Sequence, residues 1–338
     1  MNRRVRLADV AELVGVSPKT VSNVVNDTGA VSDAMKARVR DAIDQLGYRP
    51  NLAARELRSG STRLIALAVP GLAEPYFAEF AASVVEAARR RDATVLVTQS
   101  RGNRAHELSI IEGEGFPALG GIVLSPLALT ADDIASRRSR VPLVLIGEHG
   151  ESLATDDVTH VGPDNEAAAR TATEFLLAQG RRDIAVIGLQ DRLADTARVR
   201  FDGYRSALVA AGLAPDERLQ VEVSGYNRAE GSRAIERLLA RDTPFDGVFC
   251  FNDSLAFGAM HTLARHGIAV PDDVSVVGFD NIEESRYTVP PLPTIDTGVA
   301  RSSDRIVEML LDPSGPRGGH IEAPYSLHVG DEVLPTPA

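Results

Sequence analysis

Apolar positions recur along the chain in two rhythms. As far as about residue 60 the spacing is helical, with stripes at Leu7, Val10, Ala11 and Val14, at Val21, Val24 and Val25, and at Met35, Val39, Ile43 and Leu46. From Arg63 onward short apolar runs take over, at 64–69, 94–98, 121–124, 143–146, 183–188, 219–223, 247–251 and 274–278. Such runs predict strands covered on both faces, and the intervals between them leave room for crossover helices. The body is therefore expected to be two doubly wound α/β halves. Crossings between halves are expected near Val161-Gly162-Pro163 and over 289–293, with a last strand near 321–328. The expected division is 1–50 for a helical head, 51–62 for a short helix and linker, and 63–338 for the body. Within the body the first half takes 63–161 and 292–320, the second 162–291 and 321–330.

The punctuation of the head carries more than its rhythm. Gly15 stands where a helix ends, Ser17 is a preferred N-cap, and Pro18 suits a first helical position because its missing N–H would have been unpaired there. Two short helices joined by a glycine-containing turn form a helix-turn-helix pattern. With Val21, Val24 and Val25 turned inward, Lys19, Ser22, Asn23 and Asn26 face outward at spacings of three, four and seven. Laid in a major groove, Lys can bond guanine, Asn can bond adenine and Ser can reach phosphate. The same face suits an ordinary solvated surface equally well. Ser32 can cap a third helix that Gly47 closes. Asn51 can cap a two-turn helix over 52–58, too short to stand alone in water, so that it needs its copy in a dimer, DNA, or both.

Composition places the chain among folded globular proteins, at 44% hydrophobic and 25% charged residues. No apolar run approaches the ~18 residues of a membrane span, and Asp9 and Glu12 interrupt what would be the apolar section of an export signal. The single cysteine, Cys250, excludes an internal disulfide and reads as a core residue, so a cytoplasmic location is expected. The net charge of −11 is uneven. Residues 1–63 hold 11 Lys and Arg against 7 Asp and Glu, net +4, while the rest holds 25 against 40, net −15. A basic head on an acidic body is the pattern of a nucleic-acid-binding module joined to a part that does not bind nucleic acid.

These residues resemble the LacI/GalR family of bacterial transcription regulators, through Leu7-Ala8-Asp9-Val10-Ala11, Gly15-Val16-Ser17, 19–26 and Leu46-Gly47-Tyr48-Arg49-Pro50-Asn51. The resemblance implies an N-terminal three-helix helix-turn-helix DNA-binding domain plus hinge helix, followed by a periplasmic-binding-protein-like core of two doubly wound α/β subdomains. It also implies that Pro18, Lys19 and Asn23 face bases and that Ser17, Thr20, Ser22 and Asn26 meet phosphate. Leu57 and its dimer mate would wedge into a central base step, an unstacking offset by the contacts of bent DNA. Many members carry Arg where Asn23 stands.

In doubly wound sheets ligands bind outside the strand carboxyl ends, so the cleft between halves is the expected site. The loops there carry Glu74, Tyr76, Phe77, Gln99, Ser125 and Glu148 from the first half, then Arg198, Arg200, Tyr226, Asn252, Asp253 and Asp280 from the second. Aromatic faces with an Arg fork and carboxylates suit a polyhydroxylated ligand. Asp253 also reads as a helix cap, and Arg198 as a solvated charge. The family resemblance continues through Arg200-Phe201-Asp202-Gly203-Tyr204, Phe251-Asn252-Asp253 and 270–280, and implies that Arg200, Asn252 and Asp280 contact an effector while Tyr226 stacks on it. The Asp that several sugar-binding members carry after strand four is Gly147 here, with Glu148 beside it.

An enzyme reading lacks a reacting group. His106-Glu107 has no second zinc-binding His, and the glycines of 113–118 follow a helical stretch, contain Pro117 and precede a strand, the wrong context for a dinucleotide loop. A secreted sugar receptor would have no use for the basic head. The expectation is thus a dimeric repressor of carbohydrate-uptake or utilisation genes, binding a pseudo-palindromic DNA duplex and controlled by a small molecule, a sugar or alternatively a nucleoside. No cofactor, metal or membrane is expected.

Overall fold

The computed structural model describes residues 5–25, 28–48, 62–116, 118–190, 195–241, 243–312 and 318–334. Asn26, Leu57 and the helix expected over 52–58 lie outside the described residues. The chain divides into two compact units, Met1–Thr62 and Arg63–Ala338.

The first unit holds α1 (Leu7–Val14), α2 (Pro18–Val25) and α3 (Asp33–Leu46). Their apolar stripes meet as expected, with Val10, Val21 and Val39 fully buried and Ala11, Val14, Val24 and Ala42 nearly so. Gly15 ends α1, and the Ser17 hydroxyl accepts the Thr20 N–H at 3.1 Å, capping α2. Ser32 occupies the N-cap position of α3, but its hydroxyl makes no cap hydrogen bond. Arg38 ties α3 to the end of α1 by donating to the Val14 carbonyl at 2.9 Å.

The second unit has two sheets. The first runs β11-β5-β4-β3-β1-β2 and is parallel throughout. Its strands are β1 (Leu64–Val69), β2 (Thr94–Gln99), β3 (Gly121–Leu124), β4 (Leu143–Ile146), β5 (Val158–Gly162) and β11 (Gly319–Glu322). The second runs β13-β12-β10-β9-β8-β6-β7. It comprises β6 (Ile184–Leu189), β7 (Gln220–Glu222), β8 (Gly247–Cys250), β9 (Ser275–Phe279), β10 (Pro293–Asp296), β12 (Ser326–Val329) and β13 (Glu332–Leu334), with only β10–β12 and β12–β13 antiparallel. Helices cover both faces. In the first lobe they include α4 (Pro75–Arg89), α5 (Arg104–Glu112), α6 (Ala131–Ala135), α7 (Glu148–Glu151) and, after the second lobe, α12 (Ser303–Leu311). The second lobe has α8 (Asn165–Ala178), α9 (Asp195–Ala210), α10 (Arg228–Ala240) and α11 (Asp253–Arg265).

Two boundaries differ from the sequence reading. The expected crossing at 289–293 comes too early: β10 still pairs with β9 and β12 in the second sheet, and the chain returns to the first lobe only with α12, whose Ile306, Val307 and Leu310 enter that lobe's core. The single strand expected over 321–328 is two, β11 beside β5 and β12 beside β10, so the last crossing falls at 323–325. Polarity hid the strands at these boundaries. Strands β5, β10 and β11 are too polar to read as apolar runs, yet the interior satisfies their polar groups: the Thr159 hydroxyl accepts the Gly318 N–H at 2.8 Å, and the Thr294 hydroxyl donates to Asp253 at 2.6 Å.

Candidate functional site

On the head, Ser17, Pro18 and Lys19 are exposed, while Thr20, Ser22 and Asn23 are half-buried. The outward face of α2 is thus the expected one. The turn after it brings Gly29 back against Asn23, close enough that a Cβ at Gly29 would lie 2.8 Å from Asn23 Nδ2; Gly29 has φ +74. Asn23 thus packs against Gly29, a contact that helical spacing does not reveal.

In the second unit a cavity of about 680 Å³ opens between the lobes at the carboxyl ends of both sheets, within the size range of small-molecule sites. From the first lobe it is lined by Glu74, Tyr76, Phe77, Ser125 and Glu148, and from the second by Arg200, Tyr226, Asn252 and Asp280. Gln99 is absent from this lining: its side-chain oxygen instead accepts the Leu72 N–H at 3.0 Å, holding the loop after β1. Arg198 stays exposed, 3.7 Å from Asp202.

Each side chain arrives for a local reason. Pro75 starts α4 and puts Tyr76 and Phe77 in its first turn, their rings edge to face at 5.2 Å. Tyr76 hydrogen-bonds with Thr297, and burial above all pushes its phenol above the ordinary range. Tyr226 donates to the Gly188 carbonyl at 3.0 Å, leaving its ring toward the cavity. The cap of α11 is Asn252, not Asp253: the Asn252 side-chain oxygen accepts the Leu255 N–H at 2.9 Å. Asp253 lies beneath, fully buried, accepting from Ile282 N at 3.0 Å and from the Thr294 hydroxyl at 2.6 Å. It thereby fixes the turn after β9, where Asp280 and Asn281 take φ values of 108 and 51.

The centre of the site joins the lobes. Arg200, 6% exposed, donates through Nε and Nη2 to Glu148 Oε1 at 3.0 and 2.5 Å and through Nη1 to the Phe251 carbonyl, and its guanidinium lies 3.8 Å from the Phe279 ring centroid. Thr196, one turn earlier on α9, donates to Glu148 Oε2 at 2.8 Å. Burial is the largest influence on Glu148 and works against its ionisation, but Arg200, a backbone N–H and the Thr196 hydroxyl together outweigh it and hold the carboxylate below its usual range. Asp280 is 3.9 Å from Arg200, and burial dominates there, lifting its carboxyl well above normal. Gly147 has φ +80, a conformation strained for any side chain. The carboxylate accordingly sits one residue later. Sequence reading missed Thr196, Asn165, Gln190 and Thr297 in the lining. Thr196 carried a signal in its four-residue spacing from Arg200, and Asn165 was obscured because β5 was not recognised. Among the described residues no three His, Cys, Asp or Glu are grouped to hold a metal. No described helix is long and apolar enough to cross a membrane.

Residues 6–51 match the model of bacterial regulatory proteins of the lacI family, and 173–331 match a periplasmic binding protein-like domain. Over 308 residues, covering 90% of this chain and 91% of the relative, the sequence is 32% identical to the HTH-type transcriptional repressor PurR of Vibrio campbellii. The chain belongs to the LacI family.

Other LacI-family relatives extend the match. The HTH-type transcriptional regulator GalR of Salmonella typhimurium is 32% identical over 98% of this chain and 96% of its own. Among solved structures, the lac repressor dimer bound to operator and an anti-inducer superposes with a TM-score of 0.82 at 26% identity, covering 96% of this chain and 98% of that one. The transcriptional regulator CelR in complex with cellobiose gives 0.68 at 29% identity, covering 96% and 99%. This LacI-family member is a DNA-binding transcription regulator with a ligand-binding core, and its relatives are named as repressors and regulators, not as enzymes.

Proposed function

We propose that the protein is a cytoplasmic, homodimeric repressor that reads a pseudo-palindromic operator through two heads and responds to a small polyhydroxylated effector held between the lobes. The reading rests above all on the cleft in which Arg200, Asn252, Asp280 and Tyr226 converge, in a chain whose other unit exposes Ser17, Pro18 and Lys19. Thr20, Ser22 and Asn23 complete the face assigned to DNA, and Tyr76, Phe77, Ser125 and Glu148 complete the effector site. Aromatic rings cover the apolar faces of a sugar while carboxyl and amide groups take its hydroxyls. The cellobiose carried by CelR supports a sugar. A nucleoside is the second reading, favoured by three aromatic rings able to stack on a base.

Pairing of two chains is supported by β2, an edge strand of the first sheet with Leu96 and Val97 exposed at 37% and 39%. Control requires that the effector bind the DNA-competent and incompetent states unequally. The test has two arms. Purified protein is titrated with its promoter fragment and with random duplex at several salt concentrations, where neutralised phosphates make affinity fall steeply with salt. The same protein is screened by thermal shift against sugars and nucleosides, since a ligand raises apparent stability by mass action. Preference for the promoter fragment, altered by a stabilising ligand, is expected; equal binding to random duplex in all conditions would refute the reading.

A further inference from the structure

We infer that Glu148 sets the chemical class of effector: by engaging Arg200 from the opposite lobe, it leaves a cleft that accepts an uncharged polyhydroxylated compound and rejects phosphorylated and carboxylated ones. The inference rests on the reading of the cleft as an effector site.

Arg200 is the only Lys or Arg among the described residues that line the cavity. A guanidinium selects a phosphate or carboxylate by offering two parallel N–H groups to it. In this protein that fork is occupied. Nε and Nη2 go to Glu148, Nη1 goes to the Phe251 carbonyl, and one face of the plane is covered by Phe279. Glu148 is itself held from the second lobe by Thr196, so the pair sits in a fixed frame, with both side chains under 10% exposed. What remains for a ligand is polar and offers no Lys or Arg, namely the carboxyls of Asp280 and Glu74 with the hydroxyl and amide groups of Ser125 and Asn165. Hydroxyl donors satisfy such a wall. An anion meets the ionised Glu148 carboxylate and no open fork, and unfavourable juxtaposition of this kind is how sites discriminate by repulsion.

The pair also spans the lobes, since Glu148 follows β4 of the first sheet and Arg200 lies on α9 of the second. A ligand with its own anion would have to take Arg200 from Glu148, leaving that carboxylate buried without its partner. An uncharged ligand can enter with the bridge intact.

The experiment compares matched compounds on the full-length protein by thermal shift and calorimetric titration: free hexoses, pentoses and nucleosides beside their monophosphates and the corresponding sugar acids. For the wild type, the anionic counterpart of any uncharged binder is expected to bind at least about tenfold more weakly. E148Q removes the negative charge that faces Arg200 and should shrink that ratio, and T196V, which removes the hydroxyl holding Glu148, should move it the same way and serves if E148Q folds poorly. A phosphate or acid that binds the wild type as tightly as its uncharged parent overturns the inference while leaving the cleft an effector site. A ratio unchanged in both variants also overturns it. If no compound of either kind binds, the effector reading itself fails, and the inference with it.

Discussion

The Nδ1 atoms of His160 and His320 lie 2.8 Å apart, and Nε2 of His160 faces the Gly147 carbonyl at 3.0 Å. A carbonyl only accepts, so His160 carries its proton on Nε2, and its Nδ1 is left to accept from His320. The ring therefore links the edge strand β11 to the turn that presents Glu148. Burial, then the neighbouring His320, pushes the His160 imidazolium pKa down to about 4. The unfolded chain takes up this proton near pH 6.5 and the folded chain only near pH 4, so stability present above pH 6.5 is lost as pH falls through that interval, by on the order of 3 kcal/mol. Denaturant titrations from pH 4 to 7 should show this slope, and His160→Gln should flatten it.

Asp253 titrates in the opposite sense. Burial raises its pKa to about 7, so the folded state holds a proton that the unfolded state has released, and stability declines as pH rises from about 4 to 7. Asp253→Asn should remove that decline. A decline that persists in the variant would assign it to another group.

Glu107 is fully buried on α5, and its carboxylate accepts the N–H groups of Leu127, Ala128 and Leu129 at 2.9–3.1 Å. Those residues form the loop after β3, and Leu127 lines the cavity. Glu107→Ala strands three backbone donors, that of Leu129 fully buried, and should lower unfolding stability by about 2 kcal/mol or more, read from denaturant midpoints. Effector affinity should weaken as the loop loosens.

Asp280 offers its buried carboxyl to the cavity from a backbone already set by β9 and Asp253. Asp280→Ala should abolish the effector's influence on DNA binding while leaving operator affinity largely intact. An unchanged ligand titration would remove Asp280 from the site.

Lys19→Ala and Asn23→Ala should each alter base preference at one half-site position by roughly 1–3 kcal/mol. Competition between operator variants measures this. Uniform weakening on every sequence would instead assign both residues to phosphate.

The sequence by itself determined the three helices of the head, because its information there is local: Gly15, Ser17 and Pro18 mark the turn, and the valine spacing decides which face of α2 remains outward. It also determined the two-lobed α/β body, since most of its strands are written as short apolar runs. Only the tertiary structure decided the rest. Strands β5, β10 and β11 are polar, with distant partners such as Gly318 and Asp253 satisfying the hydroxyls of β5 and β10, so they were not legible as strands and the lobe of β10 was invisible along the chain. Gln99 and Glu148 each follow a strand of the first sheet, yet Gln99 turns to Leu72 whereas Glu148 meets an arginine 52 residues away in the other lobe. Spacing can nominate polar residues for a cleft, but which charge is already matched there depends on contacts between segments whose separation the sequence does not encode.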